Sequence, residues 1–138
     1  MKKYKGDKKW SDYYIDLRKI NTKNKENYLG IEAENGRLDK IIIALFLGAD
    51  IHAYDDEALR YASESGHLDI VKYLIEKGAD IQIQDGEVLA LASKRGHLKI
   101  VKYLVEKGID IHVWYDHALF WAIQNNHRDV VDYLKSLK

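Results

Sequence analysis

The 138-residue chain contains no cysteine and no proline, and its only methionine is the first residue. Without cysteine it cannot form a disulfide, offer a thiol nucleophile or build a Cys-bearing zinc site. The lysine-rich start has no apolar run behind it, so no secretory signal is visible, and the most apolar stretch, residues 41–47, is too short to span a bilayer. We therefore expect an intracellular, cytoplasmic protein that makes no membrane contact.

Charge is balanced overall but unevenly distributed along the chain. Apolar residues make up 46% and charged residues 32%, which is typical of a single folded domain. Residues 1–27 hold nine basic and four acidic side chains, whereas the remaining 111 residues hold thirteen basic and eighteen acidic ones. A leader of charge +5 therefore precedes a body of charge −5.

A thirty-residue repeat organises the sequence. Residues 52–81 and 82–111 are identical at 18 of 30 positions, whereas residues 112–138 keep six of 27. Two sets of glycines and one set of histidines recur at this spacing: Gly36, Gly66 and Gly96, followed by Asn126; Gly48, Gly78 and Gly108; His67, His97 and His127. This duplication predicts similar units that must stack to bury their apolar faces.

Each unit is predicted to contain two helices and a turn. In the second unit, Asp55 or Asp56 is a candidate cap for a first helix that ends at Gly66. Residues 68–77 carry an apolar stripe with helical spacing, and Gly78 after them is suited to the left-handed conformation that ends a helix. The residues that follow each such glycine are expected to be extended and to lead into the next unit.

The second and third units resemble the ankyrin repeat. Residues 66–74 read Gly-His-Leu-Asp-Ile-Val-Lys-Tyr-Leu and residues 78–81 read Gly-Ala-Asp-Ile, similar to that family's second helix and its exit into a hairpin finger. Residues 96–104 and 108–111 repeat the match. The family's Thr-Pro-Leu-His is replaced by Glu-Ala-Leu-Arg at residues 57–60, and the period is three residues shorter than the usual 33.

This resemblance implies an all-α, ankyrin-like helical-repeat solenoid with short hairpin fingers. We expect about four helix-turn-helix units, at residues 22–51, 52–81, 82–111 and 112–138, after a basic leader with a capping helix at residues 1–21. This 30-residue form of the repeat is similar to the ankyrin arrays of giant DNA viruses. If the protein is viral, the expected cytoplasmic location is the cytoplasm of the host cell.

The resemblance further implies a module for protein–protein interaction, since ankyrin arrays bind through the finger tips and the solvent side of the first helices. The otherwise similar second and third units differ most at these positions, although neutral drift would produce the same variation. The candidate binding residues are Tyr54, Glu57, Arg60, Glu64, Gln84, Glu87, Lys94, Arg95, Trp114, Tyr115, His117 and Gln124. Alignment of the units predicts that Trp114 is exposed and that Trp121 lies in the core, while Phe120 is either an anchor or a core residue.

Enzyme activity is not expected, because the sequence has no phosphate-binding loop, no nucleophile elbow and no His-Glu-x-x-His motif. Stacking would place the repeated histidines about 8–10 Å apart, whereas zinc requires its nitrogen ligands about 2 Å from one point. We therefore expect no metal and no cofactor, and we interpret these histidines as turn residues whose rings bond to the local backbone.

Two alternatives concern the leader and the first unit. Five clustered lysines, at positions 2, 3, 5, 8 and 9, offer a nucleic-acid or anionic-surface site, which the acidic body disfavours. Binding through these lysines would collapse as salt is raised. In the first unit, Ile42, Phe46 and Leu47 stand where the next unit has charged residues, so this apolar face is either covered by a helix at residues 11–20 or used for association.

The polar last helix favours a complete array and a monomer, because the outer face of a terminal repeat must be compatible with water. For the first unit we favour coverage by the leader. Trp10, Tyr13, Tyr14 and Leu17 would line one face of the capping helix.

Removal of residues 1–20 should expose the apolar face of the first unit and either lower the melting temperature or cause aggregation. Differential scanning calorimetry and light scattering on the full and shortened chains would measure this. Identical melting and scattering of the two chains would contradict the capping helix.

Overall fold

The computed structural model describes residues 27–138, and this part of the chain contains eight α-helices and no strand. The helices alternate between a first and a second helix of each unit and are joined by short turns. They are α1 (Asn27–Glu34), α2 (Leu38–Phe46), α3 (Ala53–Ser65), α4 (Leu68–Glu76), α5 (Ile83–Lys94), α6 (Leu98–Glu106), α7 (Ile111–Gln124) and α8 (Arg128–Ser136). The predicted all-α solenoid is confirmed, while the capping helix at residues 11–20 lies outside the described residues.

Neighbouring units stack first helix on first helix and second helix on second helix. Ala62, Ala92 and Ala122 are fully buried at equivalent positions of the first helices, where a small side chain permits close approach. Equivalent leucines of the second helices, such as Leu74 and Leu104, are likewise fully buried. The core is therefore a continuous apolar layer between units, as expected for a repeat protein in which each unit is stabilised by its neighbours.

The first helix of the second unit ends at a left-handed glycine, as predicted. Gly66 has a φ of 86°, and its backbone N–H and that of His67 both donate to the carbonyl of Ala62. A Cβ atom on Gly66 would lie 2.6 Å from Cε1 of His97, so the missing side chain also leaves room for a ring of the next unit. In the fourth unit Asn126 adopts a similar conformation, with a φ of 61°.

The repeated histidines connect one unit to the preceding one. Nε2 of His67 lies 3.0 Å from the carbonyl oxygen of Glu34, and Nε2 of His97 lies 2.8 Å from that of Glu64. Because a carbonyl only accepts hydrogen bonds, each ring must carry its proton on Nε2. The predicted bond to the local backbone is wrong, since stacking brings the last carbonyls of the preceding first helix closer to the ring.

In the second and third units, the residues that lead into the first helix form a left-handed turn, in contrast to the predicted extended segment. In the second unit, Tyr54, Asp55 and Asp56 have φ values of 54°, 56° and 52°, which kink α3 near its start. Gln84 and Asp85 form the same left-handed turn in α5, with φ values of 49° and 59°. Each such non-glycine residue costs about 1–2 kcal/mol of conformational energy, so the turn requires compensating contacts.

Those contacts come from polar side chains near the turn. The Asp56 carboxylate accepts a hydrogen bond from the backbone N–H of Asp80, in the segment that leads into the next unit, and lies 2.8 Å from Nδ1 of His52. Arg60 donates to the carbonyl oxygens of Asp55 and Tyr54, at 3.1 and 3.2 Å. Neither Asp55 nor Asp56 makes the predicted side-chain cap of its own helix. Asp56 is almost fully buried, and its carboxylate is engaged by Asp80 and His52 instead.

The fourth unit lacks this left-handed turn, and α7 runs as one helix from Ile111 to Gln124. Asp110 caps it, because its side chain accepts a hydrogen bond of 2.9 Å from the backbone N–H of His112. Residues 112–116 therefore point in directions that differ from those of their counterparts in the second and third units.

His97→Ala should lower the free energy of unfolding by about 1–3 kcal/mol, since it leaves the Glu64 carbonyl unpaired and opens a cavity above Gly66. Urea denaturation followed by circular dichroism would measure the change. His112→Ala is the matched control, because the His112 side chain is exposed and its backbone N–H makes the turn contact. Equal stabilities of the two variants would show that the ring does not couple the units.

Candidate protein-binding surface

The solvent sides of α1, α3, α5 and α7 form one surface, which we call the first-helix face. At its centre is a shallow, open depression lined by Glu34, Tyr61, Glu64, Ser65 and Arg95. Glu64 and Arg95 were predicted from the sequence to lie on the binding surface. Tyr61 was missed, although its equivalents Leu91 and Trp121 show that this position varies as strongly as the predicted ones.

Two ion pairs cross between units on this face. Nη2 of Arg95 lies 3.2 Å from Oε1 of Glu64, and Nη1 of Arg60 lies 3.9 Å from Oε2 of Glu87. The Glu64–Arg95 pair is open to solvent, and exposed pairs of this kind contribute at most about 1 kcal/mol. Arg60 also donates hydrogen bonds to the carbonyl oxygens of the turn, so it is mainly a structural residue. The Arg95 side chain is 56% exposed, and its described polar contact is with Glu64.

Two carboxylates at equivalent positions are only partly solvated. Oε2 of Glu57 and Oε2 of Glu87 are buried and accept no hydrogen bond among the described residues. Glu57 packs against α1, where a Cβ on Gly30 would come within 2.8 Å of Oε2. Hydrogen bonding to the Glu57 carboxylate, followed by the charge of that group, raises the pKa of Tyr61. These side chains bind their neighbours and present little of their charge to solvent.

Aromatic residues dominate the fourth-unit end of the face. Trp121 is 38% exposed, and Nζ of Lys94 lies 4.9 Å from its ring centroid. Phe120 is 52% exposed and meets Trp121 edge to face, with ring centroids 5.4 Å apart. The predicted core position of Trp121 is wrong: the lysine is its main cover from the third unit, whereas Tyr61 and Leu91 are half-buried.

Trp114 and Tyr115 are less available than the sequence predicts. Trp114 is half-buried, donates from Nε1 to the carbonyl oxygen of Gln84 at 2.8 Å, and contacts the His117 ring. Tyr115 is only 5% exposed, and its hydroxyl donates to the carbonyl oxygen of Leu134 at 2.9 Å. Both corrections have one cause: α7 is helical where the alignment assumed the exposed turn of the earlier units.

The other predicted residues remain accessible. Tyr54 is 55% exposed at the tip of the second-unit turn, and Gln84 is exposed at the equivalent tip in the third unit. His117 and Gln124 are exposed on the solvent side of α7. The structure therefore places three groups along one side of the solenoid: turn tips, a charged depression and an aromatic end.

The described part of the chain offers no metal site, because no three histidine, aspartate or glutamate side chains between residues 27 and 138 converge on a point that could hold an ion. No helix in the same range is long and apolar enough to cross a membrane.

The stacked helix pairs and their lateral surface define a helical-repeat solenoid. A family model of three ankyrin repeats matches residues 11–85, and a second ankyrin model, of many copies, matches residues 88–134. The first model alone covers more than half of the chain, so the protein belongs to the ankyrin repeat family. Its match begins within the segment assigned to the leader, whose boundary at residue 21 stays a prediction. No curated protein matches the chain.

Tyr115→Phe should lower the free energy of unfolding by about 1 kcal/mol, because the Leu134 carbonyl loses its buried donor. Gln124→Ala, at an exposed position of the same helix, should change stability by less than about 0.5 kcal/mol. Parallel urea denaturation curves would compare them. If Tyr115→Phe unfolds at the same urea concentration as the wild-type chain, the hydroxyl is not a structural contact and Tyr115 is again a candidate binding residue.

Proposed function

We propose that the protein is a non-enzymatic module that binds a protein partner through the first-helix face and the turn tips. Ankyrin repeats are generally protein–protein interaction modules, and this chain contains them along most of its length. The observation that carries the proposal is the exposed Trp121 ring, on the same face as the paired charges of the depression. The partner, the cytoplasmic location and the viral origin stay predictions from the sequence.

Trp121 is the proposed anchor. A tryptophan offers a large apolar area with only two side-chain torsions to order, so its burial by a partner is favourable at low entropic cost. Lys94 covers part of the ring and leaves the rest open, and Phe120 supports one edge of it. An apolar side chain of the partner would complete the packing of this ring.

We propose that the charged depression orients the partner on the first-helix face. Glu64 and Arg95 are partly exposed and pair with each other in the free protein, so their desolvation costs less than that of isolated charges. A partner that presents one acidic and one basic group would extend this pair into a larger network. Such polar contacts chiefly determine specificity and the association rate, while the aromatic contact contributes most of the affinity.

Trp121→Ala should weaken partner binding by at least about tenfold, which is typical of the loss of an aromatic anchor. The partner would first be captured from the native cell with the wild-type chain, and its affinity for each variant would then be measured by calorimetry. Arg95→Ala should cause a smaller loss.

Phe46→Ala is the matched control, because Phe46 is an exposed aromatic residue on a second helix and is 87% exposed. It should bind the partner as tightly as the wild-type chain does. If Trp121→Ala binds normally, or if Phe46→Ala alone loses binding, then the first-helix face is not the binding surface.

A further inference from the structure

The side of α7 that faces away from the third unit differs from the same side of the earlier first helices. In the second and third units this side is covered by the following unit: Ser63 and Ser93 are fully buried, and Ala90 is 6% exposed. The equivalent residues of α7 are Ile123, which is 48% exposed, and Phe120, which is 52% exposed. Relative to the third unit, a serine and an alanine are replaced by large apolar residues at positions that are open to solvent. In the second unit the position of Phe120 holds Arg60.

Val113 extends this apolar surface and is 50% exposed. Its spacing of seven residues from Phe120 and ten from Ile123 places all three side chains on one side of the helix. We call this set, Val113, Phe120 and Ile123, the end face. Three large apolar side chains that are about half exposed on one helix mark an interaction surface more often than isolated ones do.

Charged residues of both signs surround the end face. Asp116 is exposed on α7, one turn from Phe120. Arg128, Asp132 and Lys135 line an open depression that begins at Ile123 and continues along α8. Two acidic and two basic groups at the rim leave no net charge to repel an identical surface.

The side chain of Asn126 disfavours a histidine stacked on this turn in the way that His67 and His97 stack on Gly36 and Gly66. A Cβ at Gly36 or Gly66 would lie 2.7 or 2.6 Å from Cε1 of the histidine that stacks on it. The equivalent residue of the fourth unit is Asn126, which has a Cβ at this position and a φ of 61°. The fourth unit therefore lacks the site that a stacking histidine requires, which favours an occupant other than a further unit of this repeat.

We propose that two copies of this chain pair through their end faces in a two-fold symmetric dimer. In such a pair each Phe120 packs on the apolar residues of the other copy, and the basic groups along α8 approach the acidic groups of the opposite rim. A two-fold interface requires only that one surface complement itself, which the balanced rim and the apolar centre allow. The first-helix face stays open, so the dimer presents two partner-binding surfaces side by side.

Sedimentation equilibrium of the full chain over a wide range of concentrations tests the dimer. The wild-type protein should show a reversible monomer–dimer equilibrium, and Phe120→Glu should raise the dimer dissociation constant at least about tenfold. Ile123→Lys should do the same. Both residues are about half exposed, so circular dichroism should show that the fold is retained.

Phe46→Glu is the matched control, since it places the same charge on the other exposed phenylalanine, in the first unit. It should dimerise like the wild type. A wild-type chain that is monomeric at every concentration overturns the proposal, as does a dimer that is lost in Phe46→Glu but kept in Phe120→Glu. Amide shifts of the wild-type chain should change with concentration along α7, and changes confined to α2 would also refute the end-face dimer.

Discussion

The stacking of a histidine ring on the left-handed turn of the preceding unit is the contact on which the array depends. The last carbonyls of a helix have no partner within it, and at Glu64 the vacant acceptor is satisfied by Nε2 of His97. The ring can reach it because Gly66 has no side chain in its path. Each unit therefore completes the hydrogen bonding of the one before it, so a single unit is incomplete alone and stability arises between neighbours.

At the opposite end of each first helix, the left-handed turn explains why the sequence has no proline there. Proline fixes φ near −65°, which is incompatible with the positive φ of Tyr54 and Gln84. The strain of this turn is offset by polar links to the segment that leads into the next unit. Asp56 accepts from the backbone of Asp80, and the Gln82 amide donates to Gly108 and accepts from the N–H of Asp110. Compact turns thus replace the longer hairpins of the family.

Periodic features of the sequence were sufficient to predict the helices, the glycine at each helix end and the buried leucines, because each depends on spacing within one unit. The errors concern residues whose environment depends on the neighbouring unit. The histidine acceptor was misassigned because only the stacked structure brings the Glu64 carbonyl to the ring. Tyr115 was misplaced because its position was transferred from units with a left-handed turn to one without it. Trp121 was misplaced because its equivalents, Tyr61 and Leu91, are themselves only half-buried. Glu64 and Arg95 were both predicted to lie on the binding surface, but the sequence did not predict that they form an ion pair with each other.

The fourth unit diverges most on the side of α7 that faces away from the third unit. An internal unit must fit two partners, so small residues such as Ser93 and Ala90 are constrained on the side that the next unit covers. The fourth unit instead carries Phe120 and Ile123 on that side, and its α7 is uninterrupted. One helix then carries Trp121 on the first-helix face and Phe120 on the end face, in direct ring contact. A dimer formed through the end face would hold the Phe120 ring in place, and Trp121 packs against this ring. Dimerisation and partner binding would therefore be coupled through the contact between the two rings.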